Sequence, residues 1–227
     1  MEHTDCVDSG QGPTERAPRS RRVASQAEVT RSTLVMAARR LFVAKGYFAT
    51  GTEEVVRAAQ VTRGALYHHF ANKEALFLAV FEAVEDDLLA KAATVTTGDS
   101  ISRLRSGLLG FLDASLTREV QQVLLLDGPA VLGWQQWRNI EYRYGLGAIA
   151  GLLTAATNEG TLRAQPVEPL ANLLLAALHE AALYIANAPD KRRARDASVT
   201  AMETLLAGLT THRATSHTAG RRRPSNG

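Results

Sequence analysis

Cysteine is nearly absent from this 227-residue sequence, with Cys6 as its single example. One cysteine cannot form a disulfide within the chain, and the six histidines are scattered, so neither a metal site nor a cofactor is predicted. The first residues also lack the basic start and apolar run of a secretory signal. We therefore expect a protein of the reducing cytoplasm.

Long hydrophobic runs and strand-like alternation are absent as well. The most apolar segment, residues 170–185, is short for a bilayer span and contains Asn172, His179 and Glu180. It is predicted to be a buried helix rather than a membrane anchor. No stretch alternates apolar and polar residues between turn signals. These absences predict an all-α protein with no membrane partner.

Charge is unevenly distributed along the chain although the net charge is only +3. Residues 16–73 carry 11 basic and 3 acidic side chains, whereas residues 74–212 carry 11 basic and 16 acidic ones. A basic first third suggests contact with a polyanion. A plain solvated surface explains the charge equally well.

Helical periodicity organises everything between the two polar ends. Residues 1–25 are predicted to be a disordered basic arm, and residues 212–227 a disordered basic tail that contains Arg221–Arg223. The arm's arginines, Arg19, Arg21 and Arg22, either follow DNA or are mere disordered charge. The predicted helices cover about 31–45, 52–59, 63–69, 73–93, 100–116, 119–126, 134–158, 167–188 and 191–211.

The two short helices at residues 52–69 have the pattern of a helix-turn-helix. A small apolar core is expected beneath them, formed by Val55, Ala59, Val61 and Leu66. This core would fix the angle between the helices and leave the polar side of the second helix free to enter a major groove. Residues 26–72 are therefore predicted to be a DNA-binding domain, and residues 73–211 a separate helical domain.

Several sequence segments in this region match one family closely. They are residues 37–42, Gly46-Tyr47, residues 61–70 and residues 72–76, and the run Gly64-x-Leu-Tyr-x-His-Phe-x-x-Lys73 is the most specific of them. Over residues 31–81 the sequence resembles the TetR family of bacterial transcription regulators. The resemblance implies a homodimer that usually represses transcription and leaves its operator when a small-molecule effector binds. It also implies DNA contacts by Thr52, Thr62, Arg63, Gly64, Tyr67, His68 and Lys73.

Three positions depart from the family pattern. Gln60 occupies a turn position usually held by glycine, so it must tolerate a left-handed or nearby conformation at a cost of roughly 1 kcal/mol. Gly51 stands where a capping serine or threonine is common, and Val56 replaces the usual alanine. None of these changes removes a DNA-facing group.

An effector pocket is predicted from aromatic and polar side chains of the second domain. Ordinary core or interface packing is the alternative for each of them. The predicted lining residues are Trp134, Trp137, Tyr142, His179 and Tyr184.

The last two helices are predicted to form the dimer interface. The first of them is apolar nearly all round, so it needs cover on two sides. A four-helix bundle across a two-fold axis would supply that cover, and its symmetry predicts a near-palindromic double-stranded operator. The predicted interface residues are Leu174, Leu178, Ile185, Met202, Leu205 and Leu209.

Two other classes of protein compete with this interpretation. A helical enzyme would have to use His179, Glu180 or the tyrosines, but no nucleophile, base and orienting group stand at a suitable spacing. A DNA-binding regulator without any ligand would need a carboxy-terminal domain with no internal cavity. We therefore predict a non-enzymatic, ligand-responsive regulator.

Overall fold

The protein is described by a computed structural model that covers residues 19–93 and 97–210. Within these ranges the chain is helical, and the one non-helical pairing is an isolated bridge between Leu162 and Thr210. We label the helices in chain order and name two π-helical segments π1 and π2. Their bounds are α1 Arg19–Lys45, α2 Thr52–Ala59, α3 Arg63–His69, α4 Lys73–Ala93, α5 Ser100–Ala114, π1 Val120–Asp127, α6 Gly128–Leu132, α7 Trp134–Glu141, π2 Tyr142–Leu146, α8 Gly147–Asn158, α9 Val167–Asn187 and α10 Lys191–Leu209.

The first helix begins earlier than the sequence pattern predicted. It starts at Arg19, directly after Pro18, whereas the expected arm extended to residue 25. Residues 19–30 contain no glycine or proline and are rich in good helix formers, which explains the extension. The rest of the predicted arm, residues 1–18, and the predicted tail lie outside the described residues.

The sequence pattern predicts that the helix at 119–126 is broken at Gly128-Pro129, but the chain passes from π1 directly into α6. Pro129 has no N–H to donate, and the carbonyl oxygen of Leu124, five residues earlier, accepts from Nε1 of Trp137 instead. An added Cβ on Gly128 would lie 2.8 Å from Cε2 of Phe81 and 2.9 Å from Cδ1 of Trp137. Glycine is therefore needed here because two aromatic rings approach the backbone.

Two apolar clusters form the interior of the chain. The first joins α1–α4 to π1, α6 and α7 and contains most of the large rings, among them Phe42, Phe77 and Trp137. The second lies between α5, α8, α9 and α10 and is built mainly of leucine, as at Leu104 and Leu153. The amino-terminal helices therefore share a core with the middle of the chain and do not form an isolated unit.

The predicted dimer interface needs correction. Leu174, Leu178, Ile185 and Met202 are at most 5% exposed in the single chain, because α9 is covered by α5, α8 and α10 of its own chain. These four side chains therefore belong to the second cluster. Of the six predicted residues, the exposed Leu205 and the half-buried Leu209 remain available to a partner.

Helix α9 is also long and apolar enough to cross a membrane by length and composition. Core helices of globular proteins meet the same criterion. Here α9 contributes Ala171, Leu175 and Ala182 to the apolar clusters, so its composition is explained by packing.

Candidate nucleic-acid interface

The turn between α2 and α3 has the geometry that the sequence required. Gln60 adopts φ 56° and ψ 38°, the left-handed conformation, and is the one non-glycine residue with positive φ in the described part of the chain. Its backbone N–H donates to the carbonyl oxygens of Arg57 and Val56. The left-handed conformation predicted at Gln60 is thereby confirmed.

A small apolar core holds α3 at a fixed angle to α2. Val55, Ala59 and Leu66 are buried, and Val61 packs against the same cluster. These are the four residues that the sequence predicted for this core. Helix α3 is too short to be stable alone, so its orientation depends on these contacts.

The amino terminus of α3 is capped and open to solvent. The Thr62 hydroxyl accepts from the backbone N–H of Ala65 at 3.2 Å, so its proton remains available to an external acceptor. Arg63, Gly64 and His68 are exposed, as is Tyr67 at 44%. An added Cβ on Gly64 would meet only the Thr62 hydroxyl, at 3.9 Å. This end of α3 therefore presents donors, a cation and a helix dipole to solvent, which suits an anionic backbone.

The exposed side chain of Arg63 has two weak contacts within the protein. Its Nη1 lies 2.8 Å from Oε1 of Glu53, and its guanidinium lies 5.6 Å from the Tyr67 ring centroid. The side chains of the ion pair are 67% and 61% exposed, so the pair contributes little to stability. A phosphate can therefore take the place of Glu53 at small cost.

Lys73 and Thr52 occupy less exposed places than the other predicted contacts. The Lys73 ammonium donates to the Tyr47 carbonyl oxygen at 2.6 Å and lies 3.9 Å from the Tyr47 ring centroid. Partial burial lowers the pKa of Lys73, and the carboxylate of Asp127 opposes that shift. Lys73 thus joins α4 to the end of α1, a role that the sequence did not predict. Thr52 is half-buried in the first turn of α2.

A second feature of the molecule is a large cavity of about 710 Å³ in the carboxy-terminal half. Its wall is mostly apolar and comes from α4, α5, π2, α8 and α9. It includes two buried polar residues, Glu85 and His179, and two exposed basic ones, Lys91 and Arg103. This volume is typical of sites for small organic molecules.

The cavity includes one of the five residues predicted to line a pocket, His179. Trp134 and Tyr184 are 60% and 59% exposed. Trp137 is buried, with its Nε1–H donating to the Leu124 carbonyl oxygen at 3.0 Å, and Tyr142 accepts from Arg138 through its hydroxyl at 2.9 Å. Two of these four aromatic side chains are therefore exposed, and the other two make contacts within the protein. None of the four lines this cavity, so the aromatic pocket that the sequence predicts is not this one.

Comparison with known proteins decides the family. Residues 34–80 match the family profile of bacterial regulatory proteins of the tetR family, and residues 101–209 match a profile of tetracyclin repressor-like C-terminal domains. A solved TetR-family regulator from Pectobacterium atrosepticum is 31% identical, with a TM-score of 0.73 over 82% of this chain and 97% of that chain. The chain belongs to the TetR family.

Curated relatives of this TetR-family chain agree. The transposon Tn10 TetC protein of Escherichia coli is 32% identical over 149 residues, which are 64% of this chain and 74% of TetC. The transcriptional activator FasR of Mycolicibacterium smegmatis is 39% identical over 85 residues, 37% of this chain and 39% of FasR. TetR-family proteins are DNA-binding transcription regulators that act as dimers with small-molecule effectors.

In this member of the TetR family, charged contacts connect the DNA-binding helices to the rest of the chain. The Asp127 carboxylate accepts from the Tyr47 N–H at 2.7 Å. Arg118 donates to the carbonyl oxygens of Val43 and Ala44 at 2.9 and 2.6 Å, so a cation covers the carbonyl end of α1.

A further ion pair lies beside these contacts. Arg39 binds both oxygens of Glu119 at 2.7 and 3.0 Å and lies 2.7 Å from Oδ2 of Asp87. The side chains of Arg39, Arg118, Glu119 and Asp127 were not singled out in the sequence, since their partners are about 50 to 80 positions away.

Proposed function

We propose that the chain is a homodimeric repressor that binds a near-palindromic operator through α3 and leaves it when a small molecule occupies the cavity. The observation that carries the proposal is the exposed, capped start of α3 on a rigid apolar base. The large cavity in the same chain favours a ligand-responsive regulator over one without a ligand. A cytoplasmic location fits such a protein.

The proposed DNA contacts fall into two groups. Arg63, Tyr67 and His68 are exposed on the reading face of α3, and Gly64 lets the backbone approach the duplex. Thr62 and Thr52 offer hydroxyls to phosphates at the starts of α3 and α2. Lys73 is proposed to act partly through its bond to Tyr47, which holds α4 beside the DNA-binding helices.

The proposed dimer uses the surface of α9 and α10 that the single chain leaves open. Its apolar members are the exposed Leu173, Tyr184 and Leu205, at 68%, 59% and 53% exposure. We expect Leu205→Glu to shift the protein towards monomers in sedimentation, with the exposed Val29 in α1, changed to Glu, as a control that stays dimeric. A dimer that survives Leu205→Glu would place the interface elsewhere.

Effector release is proposed to run through α4. Glu85, Leu88 and Leu89 line the cavity, and Lys73 at the other end of the same helix contacts the turn after α1. A ligand changes DNA affinity only by binding the two states differently. A ligand that displaces α4 would therefore alter the spacing of the two α3 helices in the dimer.

We propose repression rather than activation because of what residues 101–209 match. Residues 101–209 match tetracyclin repressor-like domains, whereas the likeness to the activator FasR spans 85 residues. A reporter gene placed under the control of the operator distinguishes repression from activation. Repression predicts higher expression when the gene for this protein is deleted, and lower expression on deletion would identify an activator.

The experiment that tests DNA recognition is a gel-shift titration on the DNA that flanks the gene. Arg63→Ala should weaken binding by about tenfold or more and reduce the salt dependence, because phosphate contacts release counterions. Arg163→Ala is the matched control, since Arg163 is also exposed but lies after α8. Equal effects of the two substitutions would contradict the proposed reading face.

A further inference from the structure

The cavity contains more open space than the packing of its own helices requires. Five glycines lie in its wall: Gly107, Gly110, Gly145, Gly147 and Gly151. Glycine is unfavourable inside a helix compared with alanine. An explanation is therefore needed for so many on one surface.

Close packing explains only Gly145. A Cβ there would lie 2.7 Å from Cδ1 of Leu175. At the other four positions an added Cβ would meet no heavy atom within 4 Å, and none of the four has positive φ. Neither a neighbouring side chain nor a turn requires glycine there. Three of the four, Gly110, Gly147 and Gly151, are exposed, so the missing side chains leave the wall of α5 and α8 open to a ligand as well as to solvent.

The most buried polar groups of the cavity lie on α4 and α9. Glu85 is 6% exposed and His179 is 7% exposed, and the His179 ring lies 6.0 Å from the Phe111 ring and 5.8 Å from the Trp137 ring. A carboxylate has about four acceptor sites, so Glu85 can bind a ligand in addition to its contacts within the protein. A buried carboxylate in a mostly apolar wall favours a positively charged group.

Other carboxylates of α4 lie near this end of the cavity, although that of Glu82 is 3.7 Å from Nη1 of Arg143. Burial raises the pKa of Tyr144, next to the lining residue Gly145, and the carboxylates of Asp86, Glu82 and Glu85 raise it further, although Arg143 opposes them. The basic residues Lys91 and Arg103 are exposed. Lys91 lies six residues after Glu85 on α4, and because its side chain is exposed, solvent and salt weaken the effect of its charge inside the cavity.

We propose that the cavity binds a bulky lipophilic cation, with its charge beside Glu85 and its apolar body against the open glycine wall of α5 and α8. This inference rests on the proposed function, in which the cavity is the effector site. It adds the charge and the shape of the effector. In this view Glu85 selects the charge, and the four open glycines set the width that the ligand can have.

Two probe ions of equal shape and opposite charge test the charge of the ligand. Calorimetric titration of the full-length protein should show tetraphenylphosphonium binding at least about tenfold more tightly than tetraphenylborate, because one buried charge contact corresponds to about that factor. Glu85→Gln should remove most of this preference. Equal binding, or a preference for the anion, would overturn the proposal and assign the selective role to Lys91 and Arg103. The wild-type preference needs no variant, so the test does not depend on the folding of Glu85→Gln.

Leucine substitutions test the glycine wall. Gly107→Leu and Gly151→Leu should fold, since the space is open and leucine favours helix, yet they should weaken tetraphenylphosphonium binding by about tenfold or more. Thr154→Leu is the matched control, because Thr154 is exposed on the same helix as Gly151 and is not part of the cavity wall. Unchanged binding in both cavity variants would contradict the wall assignment.

Alanine at the same positions gives a second readout. Gly107→Ala should raise Tm by about 2–4 °C if the glycine is kept for space alone. A lowered Tm would show that the glycine serves the fold after all.

Operator release separates this inference from the proposed function. If tetraphenylphosphonium binds as expected but the gel-shifted complex persists, the ligand class stands and effector control fails. If tetraphenylborate both binds and releases the operator, effector control stands and the ligand class is wrong.

Discussion

The two apolar clusters of this protein are built differently. The first is rich in rings, and Phe42 and Phe77 pack edge to face with centroids 5.5 Å apart. The second has mostly aliphatic side chains in its buried part and surrounds a cavity of about 710 Å³. Interlocked rings hold one geometry, whereas leucines beside a void can change rotamer as a ligand enters.

This difference matches the tasks that we propose for the two regions. A helix that reads DNA must keep its pitch, because small displacements misplace every contact. An effector pocket must instead deform when a ligand enters, and that displacement must reach the DNA-binding helices. Within one helical chain, the aromatic side chains of the first cluster therefore favour a rigid region, and the aliphatic side chains around the cavity favour a deformable one.

The largest effect is expected in the ring-rich cluster. Phe77 is 0% exposed, and Phe77→Ala should cost about 3–5 kcal/mol of the free energy of unfolding, through lost contacts and the void left behind. Urea denaturation measures this loss. A loss below about 1 kcal/mol would mean that the first cluster collapses around the void, and the contrast between the clusters would then disappear.

A pair of leucines tests the second cluster, which surrounds the cavity. Leu108 lines the cavity and Leu153 does not, although both are buried in the same cluster. Leu108→Ala should cost about 2 kcal/mol and Leu153→Ala more, because the side of Leu108 that faces the void has fewer contacts to lose. Equal losses in parallel urea titrations would indicate that the cavity is closed in solution.

The two regions also differ in how far the sequence alone predicted them. The helix-turn-helix could be predicted residue by residue, since Thr62, Gln60 and Leu66 act through neighbours a few positions away. The cavity could not, because its wall combines α4, α5, π2, α8 and α9, and periodicity does not say which helices leave a gap between them. One weak signal existed: Glu85 interrupts the apolar stripe of α4, four residues after Phe81 and three before Leu88.

The same reason explains the misplaced dimer residues. Helix α9 is apolar on nearly every side, so its sequence shows that it is covered but not by what. Leu178 was assigned to a partner subunit, and α5 and α8 of the same chain cover it instead. Exposure in the folded chain was needed to propose Leu173 and Tyr184 for the dimer surface.

A smaller effect is expected at the junction of the two regions. The Asp127 carboxylate accepts from the Tyr47 N–H, and Asp127→Asn keeps an acceptor there while removing the charge. A charge-assisted hydrogen bond exceeds a neutral one by about 1 kcal/mol, so stability should fall by roughly that amount. If the junction also transmits the ligand signal, operator release should need more effector in this variant. The exposed Asp196 offers a control, since Asp196→Asn should alter neither property.

The smallest effect concerns the turn of the DNA-binding unit, and it has the opposite sign. Gln60 holds the left-handed conformation that glycine adopts without strain, so Gln60→Gly should stabilise the fold by up to about 1 kcal/mol, less the entropy that glycine loses on folding. Gln60→Val should destabilise it, because a β-branched side chain is strained at positive φ. Thermal unfolding measures both changes, and operator affinity measured beside it shows whether the turn angle has moved. If Gln60→Gly is more stable and binds the operator with unchanged affinity, the apolar core and not the turn holds α3 in place. A loss of affinity would show that Gln60 itself sets the angle of α3.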